Sequence, residues 1–291
     1  MAQVAPTRAS VLIEGEEGTG KGVVARALHA GSPRHEGPFV RLDCGGLPAE
    51  LFEVELCGTE AGDGRPARRG RLELADGGTL VLDGIEHLPS RAQVLLLRLL
   101  QEHAYERVGG ARSRHADVRV LATTAADLGA AVRDGRFRED LLRQLAVVRI
   151  ALPPLRERPD DVPLLVERLL HDLAREHGRR PRRVTRGVME RLASQPWAGN
   201  VTGLKLALEG MLVTARGRGP IDVSALPPPL REGGAPVDRA EVTVGMTLDE
   251  AERALIEATL GHAGGDKPRA AAMLGIGLRT LYRKLDRYRA G

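Results

Sequence analysis

The sequence predicts an α/β domain built on a mostly parallel sheet, followed by a helical subdomain and a small all-α unit at the C-terminal end. Short β-rich runs alternate with helical stretches as far as residue 152, which is typical of a parallel sheet covered by helices. From residue 159 onward, apolar residues recur at helical spacing. Near the end, Thr247 and Glu250 form a capping box in front of another helical pattern. A chain of 291 residues has room for these units.

The predicted strands are short apolar runs at residues 11–14, 39–43, 79–83, 118–123 and 147–152. We therefore expect the α/β domain to span residues 1–155 and the helical subdomain to span residues 156–222. Prolines and glycines punctuate residues 223–245, where no apolar period is sustained, so this segment is predicted to be a linker. The last unit is predicted to span residues 246–291.

The composition is that of an ordinary globular protein. Basic residues number 43 and acidic residues 39, and the net charge of +4 permits an acidic partner without identifying one. Cys44 and Cys57 lie in no metal-ligand or nucleophile pattern, so both are predicted to be structural. The sequence contains no signal peptide and no apolar run near the roughly 18 residues that a membrane helix needs. We therefore expect a cytoplasmic protein with no membrane partner.

A glycine-rich loop follows the first predicted strand and opens a predicted helix. Its sequence is Gly15-Glu-Glu-Gly18-Thr19-Gly20-Lys21. Glycines let backbone N–H groups turn toward a phosphate, the helix N-terminus adds its dipole, and the lysine reaches the terminal phosphates. The loop therefore predicts ATP as a ligand, with nucleotide-binding residues Gly15, Gly18, Thr19, Gly20, Lys21 and Gly22.

Only some of the residues expected to bind a metal ion and to activate water are present. Gly22 lacks the hydroxyl with which a P-loop Ser or Thr contacts Mg²⁺, so metal binding would depend on Asp83, at the end of the strand 79–83. Asp83 is therefore the predicted metal ligand and one predicted catalytic residue. The next residue, Gly84, has no side chain for acid–base chemistry. Glu86 is not expected to substitute, because a residue two positions beyond a strand end points elsewhere.

Residues 270–285 have the spacing of a helix-turn-helix. Ala271 is small enough for two helices to cross, and Gly275 can take the positive φ of the turn. Seven basic residues and one acidic residue lie between positions 267 and 291, which suits a phosphate backbone. We therefore predict double-stranded DNA as a partner, with contacts from Lys267, Arg279, Thr280, Arg283 and Lys284.

These motifs resemble those of the sigma-54-dependent transcription activators. The resemblance covers an AAA+ module from residue 11 to about residue 215 and a Fis-type DNA-binding domain at residues 246–290. The matching stretches are Val11-Leu-Ile-Glu-Gly15, Gly77-Gly-Thr-Leu-Val-Leu-Asp83, Glu106-Arg-Val-Gly-Gly110, Gly135-Arg-Phe-Arg-Glu-Asp140, Leu152-Pro-Pro-Leu-Arg-Glu-Arg158 and Trp197-Ala-Gly-Asn-Val201. The resemblance implies a P-loop AAA+ sheet with a helical lid, an RNA polymerase sigma factor as partner, and a homo-oligomer such as a hexameric ring. The symmetry of helix-turn-helix sites adds the expectation of a dimer on DNA.

Several positions depart from the family pattern. Gly84 stands where the family has a water-activating Glu, Ala125 where a sensor Asn contacts the γ-phosphate, and Thr202 where a second sensor has an Arg. Of the two arginines that the family presents to a neighbouring subunit's nucleotide, Arg138 matches and is a predicted catalytic residue, whereas Gln144 replaces the other. The loop at residues 59–69 also lacks the GAFTGA sequence with which the family contacts sigma-54.

Three interpretations remain open from the sequence. The first is a DNA-binding transcription regulator whose AAA+ module binds ATP but is impaired in hydrolysis and in sigma-54 contact. The second is an active ATPase that remodels the polymerase holoenzyme, and Lys21, Asp83 and Arg138 favour it. The third is an inert or truncated relic, or a fragment of a longer protein, since only ten residues precede the first strand and no receiver domain is present.

Overall fold

The strands of the protein are short, from two to six residues each. The computed structural model describes residues 1, 3–62, 66–215, 217, 219–231, 246–262 and 266–289. In chain order the strands of this part of the chain are β1 (Val11–Glu14), β2 (Phe39–Asp43), β3 (Gly58–Thr59), β4 (Arg68–Arg69), β5 (Thr79–Asp83), β6 (Ala104–Glu106), β7 (Ser113–His115), β8 (Arg119–Thr124) and β9 (Val148–Ala151).

Five of these strands form one parallel sheet in the order β2-β5-β8-β1-β9. This confirms the predicted fold class, although β8 begins and ends one residue later than its predicted run and β9 is shorter at both ends. Val11, Leu12 and Ile13 of β1 are fully buried, as expected of a strand covered on both faces. The register aligns Asp43 with Asp83, so polar strand ends meet at one edge of the sheet.

Helices pack against both faces of this sheet. In chain order the helices of the described residues are α1 (Lys21–Ala30), α2 (Ala49–Cys57), α3 (Arg71–Leu74), α4 (Ser90–Glu102), α5 (Leu128–Arg133), α6 (Glu139–Leu145), α7 (Val162–Glu176), α8 (Arg186–Ala193), α9 (Asn200–Thr214), α10 (Pro228–Arg231), α11 (Leu248–His262), α12 (Lys267–Leu274) and α13 (Leu278–Arg289). Of these helices, α1 packs on one face of the sheet and α2 to α6 pack on the other. No helix, within the residues described, is both long and apolar enough to cross a membrane.

Alternate residues of the central strands pack into two separate hydrophobic clusters. Leu80 and Leu82 of β5 belong to a cluster with residues of α2, α3, α4, α5 and α6, whereas Val81 packs with α1 and with Ala5 of the N-terminal segment. Side chains of a strand alternate between the two faces, so these clusters lie on opposite sides of the sheet. Cys44 and Cys57 are free thiols buried in the first cluster, as predicted.

The chain divides into two compact units. The first contains Met1–Asp161 and Trp197–Leu206, and the second contains Val162–Pro196 and Ala207–Gly291. In the first unit, the N-terminal segment is held by the buried Arg119, whose guanidinium donates to the backbone carbonyls of Ala5 and Val4 at 2.7 and 2.9 Å. These bonds satisfy carbonyls that would otherwise lose water without compensation.

The second unit contains the start of the segment predicted to be a linker. Ile221, which lies just before that segment, forms a β-bridge with Val184. Val223–Ala225 form a 3-10 turn, and α10 follows. Ile221 and Leu226 are fully buried, so residues 223–231 contain short helical turns with a buried apolar anchor. The rest of the predicted linker, residues 232–245, lies outside the described residues.

The C-terminal helices α11, α12 and α13 pack around their own small core. Ile256, Ala270, Ala271 and Leu281 are buried there. The predicted capping box is present, since the Thr247 amide donates to Glu250 Oε2 at 2.8 Å and the Glu250 amide donates to the Thr247 hydroxyl at 3.3 Å. The turn between α12 and α13 places Gly275 at φ 66°, as a helix-turn-helix requires.

Candidate nucleotide and nucleic-acid sites

One candidate site is a pocket at the carboxyl edge of the parallel sheet, where α/β folds place their ligands. Its volume is about 740 Å³, a size suited to a small organic ligand. Every residue that lines it belongs to the first unit. They are Glu17, Gly18, Gly20, Lys21, Gly22, Val23, Arg26, Arg41, Asp43, Gly45, Gly46, Asp83, Gly84, Glu86, His87, Ala125 and Thr202.

The glycine-rich loop runs from the end of β1 to the start of α1 along this pocket. Gly18 has φ 75°, and a Cβ there would lie 2.3 Å from the carbonyl oxygen of Gly199, so both backbone conformation and space require glycine. Lys21 Nζ donates to the carbonyls of Gly15 and Glu16 at 2.7 and 3.0 Å. The Thr19 hydroxyl is buried and donates to Glu16, so it supports the loop rather than facing the pocket.

A set of residues far along the sequence holds the loop in position. Asn200 is completely buried, and its Nδ2 donates to the Glu17 carbonyl at 2.8 Å while its Oδ1 accepts from the Leu155 amide at 2.7 Å. Arg156 donates two hydrogen bonds to the Glu16 carboxylate, at 2.6 and 2.9 Å. This arginine and Asn200 lower the pKa of Glu16 to about 2. Asn200, Arg156 and Glu16 were not among the site residues predicted from the sequence, because their contacts join positions far apart in the chain.

Asp83 lies at the end of β5 with both carboxylate oxygens engaged. Oδ1 accepts from the Thr123 hydroxyl and Oδ2 accepts from the guanidinium of Arg41. Burial raises the pKa of Asp83, but these hydrogen bonds and the positive charge of Arg41 outweigh it, and the pKa is lowered overall. Arg41 was missed by the sequence analysis. The available signal was an arginine between two apolar residues, Val40 and Leu42, in a predicted strand.

Glu86 is another carboxylate of the pocket, and its direction differs from the one expected from the sequence. The strand is followed by a 3-10 turn at Ile85–His87, which returns Glu86 to the pocket wall instead of directing it away. Its Oε1 accepts from the Ala125 amide at 2.9 Å, and its Oε2 is buried without a hydrogen-bond partner in the described part of the chain. Burial lowers the pKa of Lys21, and the negative charges of Asp83 and Glu86 oppose that effect.

Three of the positions that depart from the family pattern line this pocket, and the arginine-finger positions do not. Gly84, Ala125 and Thr202 are on its wall, so the structure brings the departures together. Gly84 has φ 68°, a conformation that strains other residues. Arg138 lies at the start of α6, outside the pocket lining, and its guanidinium pairs with Asp140 at 2.6 Å. Gln144 is likewise outside it.

The residues present do not fit the expected Mg²⁺. The described residues contain no group of three or more His, Cys, Asp or Glu side chains that could hold a metal ion. Gly22 offers no hydroxyl, and Asp83, the one predicted ligand, accepts a hydrogen bond from the guanidinium of Arg41. An Mg²⁺ ion at Asp83 would therefore lie next to a permanent positive charge, which opposes its binding.

The predicted DNA-contacting residues lie in the C-terminal helices, and two of them are engaged within the protein. Arg279 and Arg283 are exposed on α13, and Thr280 is half-buried. Lys284 instead donates to Glu252 of α11 at 2.7 Å. Lys267 places its ammonium 4.7 Å from the centre of the Tyr282 ring. The arginines of α13 are therefore the most available of the predicted contacts.

Residues 59–69, at the position of the family's sigma-54 contact loop, are joined at their two ends by a short antiparallel pair of strands. β3 and β4 pair through Gly58 with Arg69 and through Thr59 with Arg68. Glu60, which follows β3, accepts hydrogen bonds from the guanidinium groups of Arg107 and Arg114 at 3.4 and 2.8 Å. Residues 63–65 of this segment lie outside the described residues.

Comparison with known protein families gives three consecutive matches. The family model for the sigma-54 interaction domain matches residues 1–151. The family model for the AAA+ ATPase lid domain matches residues 156–242. The model for bacterial regulatory proteins of the Fis family matches residues 247–288.

Individual relatives match over almost the whole chain. The transcriptional regulatory protein FlbD of Caulobacter vibrioides is 41% identical over 98% of this chain and 66% of its own length. The transcriptional regulatory protein ZraR of Escherichia coli is 42% identical over 99% of this chain and 65% of its own length. The crystal structure of NtrX from Brucella abortus in complex with ATP is 35% identical, covers 98% of this chain and 65% of that one, and superposes with a TM-score of 0.73. The chain thus spans just under two thirds of the length of these relatives.

Replacing Asn200 with Ala tests whether this side chain holds the glycine-rich loop. The change leaves the buried Leu155 amide without its acceptor and the Glu17 carbonyl without its donor. Each unsatisfied buried group costs about 1–3 kcal/mol, so the free energy of unfolding should fall by at least that amount in a urea titration. Thr202→Ala, an exposed change in the same helix, is the control and should change stability by no more than about 0.5 kcal/mol. Equal effects of the two variants would contradict the assignment.

Proposed function

The chain belongs to the sigma-54 interaction domain family, and from that premise we propose that it is a DNA-binding transcription regulator whose AAA+ module binds ATP but is impaired in hydrolysis. The observation that carries the proposal is the pocket in which Lys21 and the glycine-rich loop meet Gly84, Ala125 and Thr202. The scaffold for phosphate is complete there, whereas three positions that would act on the γ-phosphate and water carry no suitable group.

Nucleotide binding is supported by the geometry of the loop and by a relative. The loop is fixed by the buried Asn200 and by the Arg156 pair with Glu16, so its shape does not depend on a ligand to form. The NtrX structures from Brucella abortus, 35–36% identical to this chain, were solved in complex with ATP and with ADP. ATP is therefore the proposed ligand.

Impaired hydrolysis follows from what the pocket wall lacks. A water-activating carboxylate directly after Asp83 is absent because the residue is Gly84. Ala125 exposes only a methyl group, and Thr202 cannot supply the positive charge of an arginine sensor. In addition, Gln144 replaces one of the two family arginines that act in trans, and such a finger contributes about 10³- to 10⁵-fold in rate where it operates.

A second candidate function, ATP hydrolysis by an assembled activator, is favoured by Glu86. Glu86 lines the pocket and its Oε2 has no hydrogen-bond partner in the described residues, so a change of side-chain rotamer would let this carboxylate orient a water. Arg138, exposed and paired only with its neighbour Asp140 in the described bonds, would then act on the nucleotide of an adjacent subunit. This candidate function implies a homo-oligomeric ring, in which Arg138 reaches the neighbouring subunit.

DNA binding rests on α12, the Gly275 turn and α13. The small buried residues Ala270 and Ala271 let the two helices approach, and Arg279 and Arg283 are exposed on the helix expected to enter the major groove. Arginines read guanine edges and hold phosphates. We propose double-stranded DNA as the partner and a dimer as the bound form. Remodelling of sigma-54 is proposed to be impaired, since residues 59–69 lack the family's contact sequence.

ATP turnover distinguishes the two candidates. We expect the native chain to bind ATP and to hydrolyse it no faster than Lys21→Ala at any protein concentration, measured by phosphate release. Turnover that rises with protein concentration and is lost in Lys21→Ala would instead support the second candidate. In that case Glu86→Gln should abolish turnover, whereas Glu17→Gln, which changes another glutamate on the pocket wall, should retain it.

Salt dependence tests the DNA-binding assignment. The logarithm of the DNA association constant falls linearly with the logarithm of the salt concentration. Arg283→Ala should make this negative slope shallower by about 0.9, the value for one lost phosphate contact. The measurement is fluorescence anisotropy of a labelled duplex. Arg253→Ala is the matched control, because Arg253 lies on α11 and pairs with Glu257. An unchanged slope for Arg283→Ala would contradict a phosphate contact at this residue.

A further inference from the structure

We propose that the guanidinium of Arg41 takes the place of the divalent cation in this pocket, so that a nucleoside triphosphate binds here without a metal ion. The inference deepens the proposed ATP binding and rests on it. It concerns how the negative charge of the phosphates and of Asp83 is balanced.

Arg41 lies on the wall of the pocket, next to Asp83. Arg41 and Asp43 are two residues apart on β2, so both side chains lie on the same face of the strand, and both line the pocket. The Arg41 Nη2 group donates to Asp83 Oδ2. A Cβ built on Gly22 would lie 3.9 Å from Arg41 Nη1 and 4.0 Å from its Cζ. The guanidinium therefore spans the gap between the first turn of α1 and the end of β5.

That gap is where a P-loop protein normally holds its metal. The ion there is contacted by a Ser or Thr hydroxyl at the position of Gly22 and by a carboxylate at the position of Asp83. In this chain the first ligand is missing and the second is hydrogen-bonded to a permanent cation. The two departures are neighbours in space, because a Cβ at position 22 would be in van der Waals contact with the guanidinium, 3.9 Å from Nη1.

The chemistry of arginine suits the exchange. A guanidinium carries five N–H donors in a rigid fork and keeps its positive charge, and it pairs with phosphate in short charge-assisted hydrogen bonds. With Nη2 on Asp83, the Nη1 group beside Gly22 lies next to the phosphate loop. An Mg²⁺ ion bound to Asp83 would lie beside the guanidinium of Arg41, and the two positive charges would repel each other.

Calorimetric titration of the full chain with ATP, in excess MgCl₂ and in excess EDTA, tests the inference. We expect the two dissociation constants to agree within about threefold. Arg41→Ala should weaken ATP binding in EDTA by about tenfold or more, since a hydrogen bond to a charged group is lost. The control is Arg98→Ala, which removes an arginine of α4 that pairs with Glu102 and lies outside the pocket lining. It should leave ATP binding unchanged in both conditions.

The outcomes separate this inference from the function on which it rests. ATP binding by the native chain that disappears in EDTA would overturn the role of Arg41 while leaving nucleotide binding intact. ATP binding in neither condition would overturn the proposed nucleotide function and this inference with it. Arg41→Lys adds a check that does not depend on the alanine variant folding, because it keeps the positive charge and should still bind ATP in EDTA, although more weakly than the native chain.

Discussion

A carboxylate at the end of a buried strand must be balanced by nearby positive charge or hydrogen-bond donors, and Asp83 imposes this requirement on the carboxyl edge of the sheet. The parallel order β2-β5-β8-β1-β9 places β5 between β2 and β8, so the two neighbours of Asp83 supply what it needs. Arg41 comes from β2 and Thr123 from β8. Lys21, on the helix that follows β1, adds a second positive charge to the same pocket.

Phosphate binding and phosphate chemistry depend on different parts of this structure. The glycine-rich loop is fixed by Asn200 and Arg156, which are distant in sequence and contribute nothing to water activation. The residues that would act on water and on the γ-phosphate are on the pocket wall, where Gly84 and Ala125 have no suitable side chain. The proposed impairment of hydrolysis is therefore compatible with the proposed binding of ATP, because the two sets of residues are held by separate contacts.

Local patterns were sufficient to predict most of the fold. The run Val11–Ile13 is buried on both faces, the loop up to Lys21 follows it directly, and Gly275 takes the turn conformation that its position suggested. Arg41 and Glu86 were not predictable in the same way. Arg41 acquires its partner only through the strand order of the sheet, and Glu86 reaches the pocket only because a 3-10 turn reverses the chain after β5. The packing of Ile221 was also hidden, since single apolar anchors among prolines have no period.

The most direct measurement of the central claim is a crystal structure of the chain grown with a non-hydrolysable ATP analogue and Mn²⁺, with anomalous diffraction data to locate the metal. We expect the Arg41 guanidinium to lie between Asp83 and the phosphates, with no anomalous peak within coordination distance of Asp83. A Mn²⁺ peak about 2.1 Å from an Asp83 oxygen, with Arg41 displaced from the pocket, would contradict it.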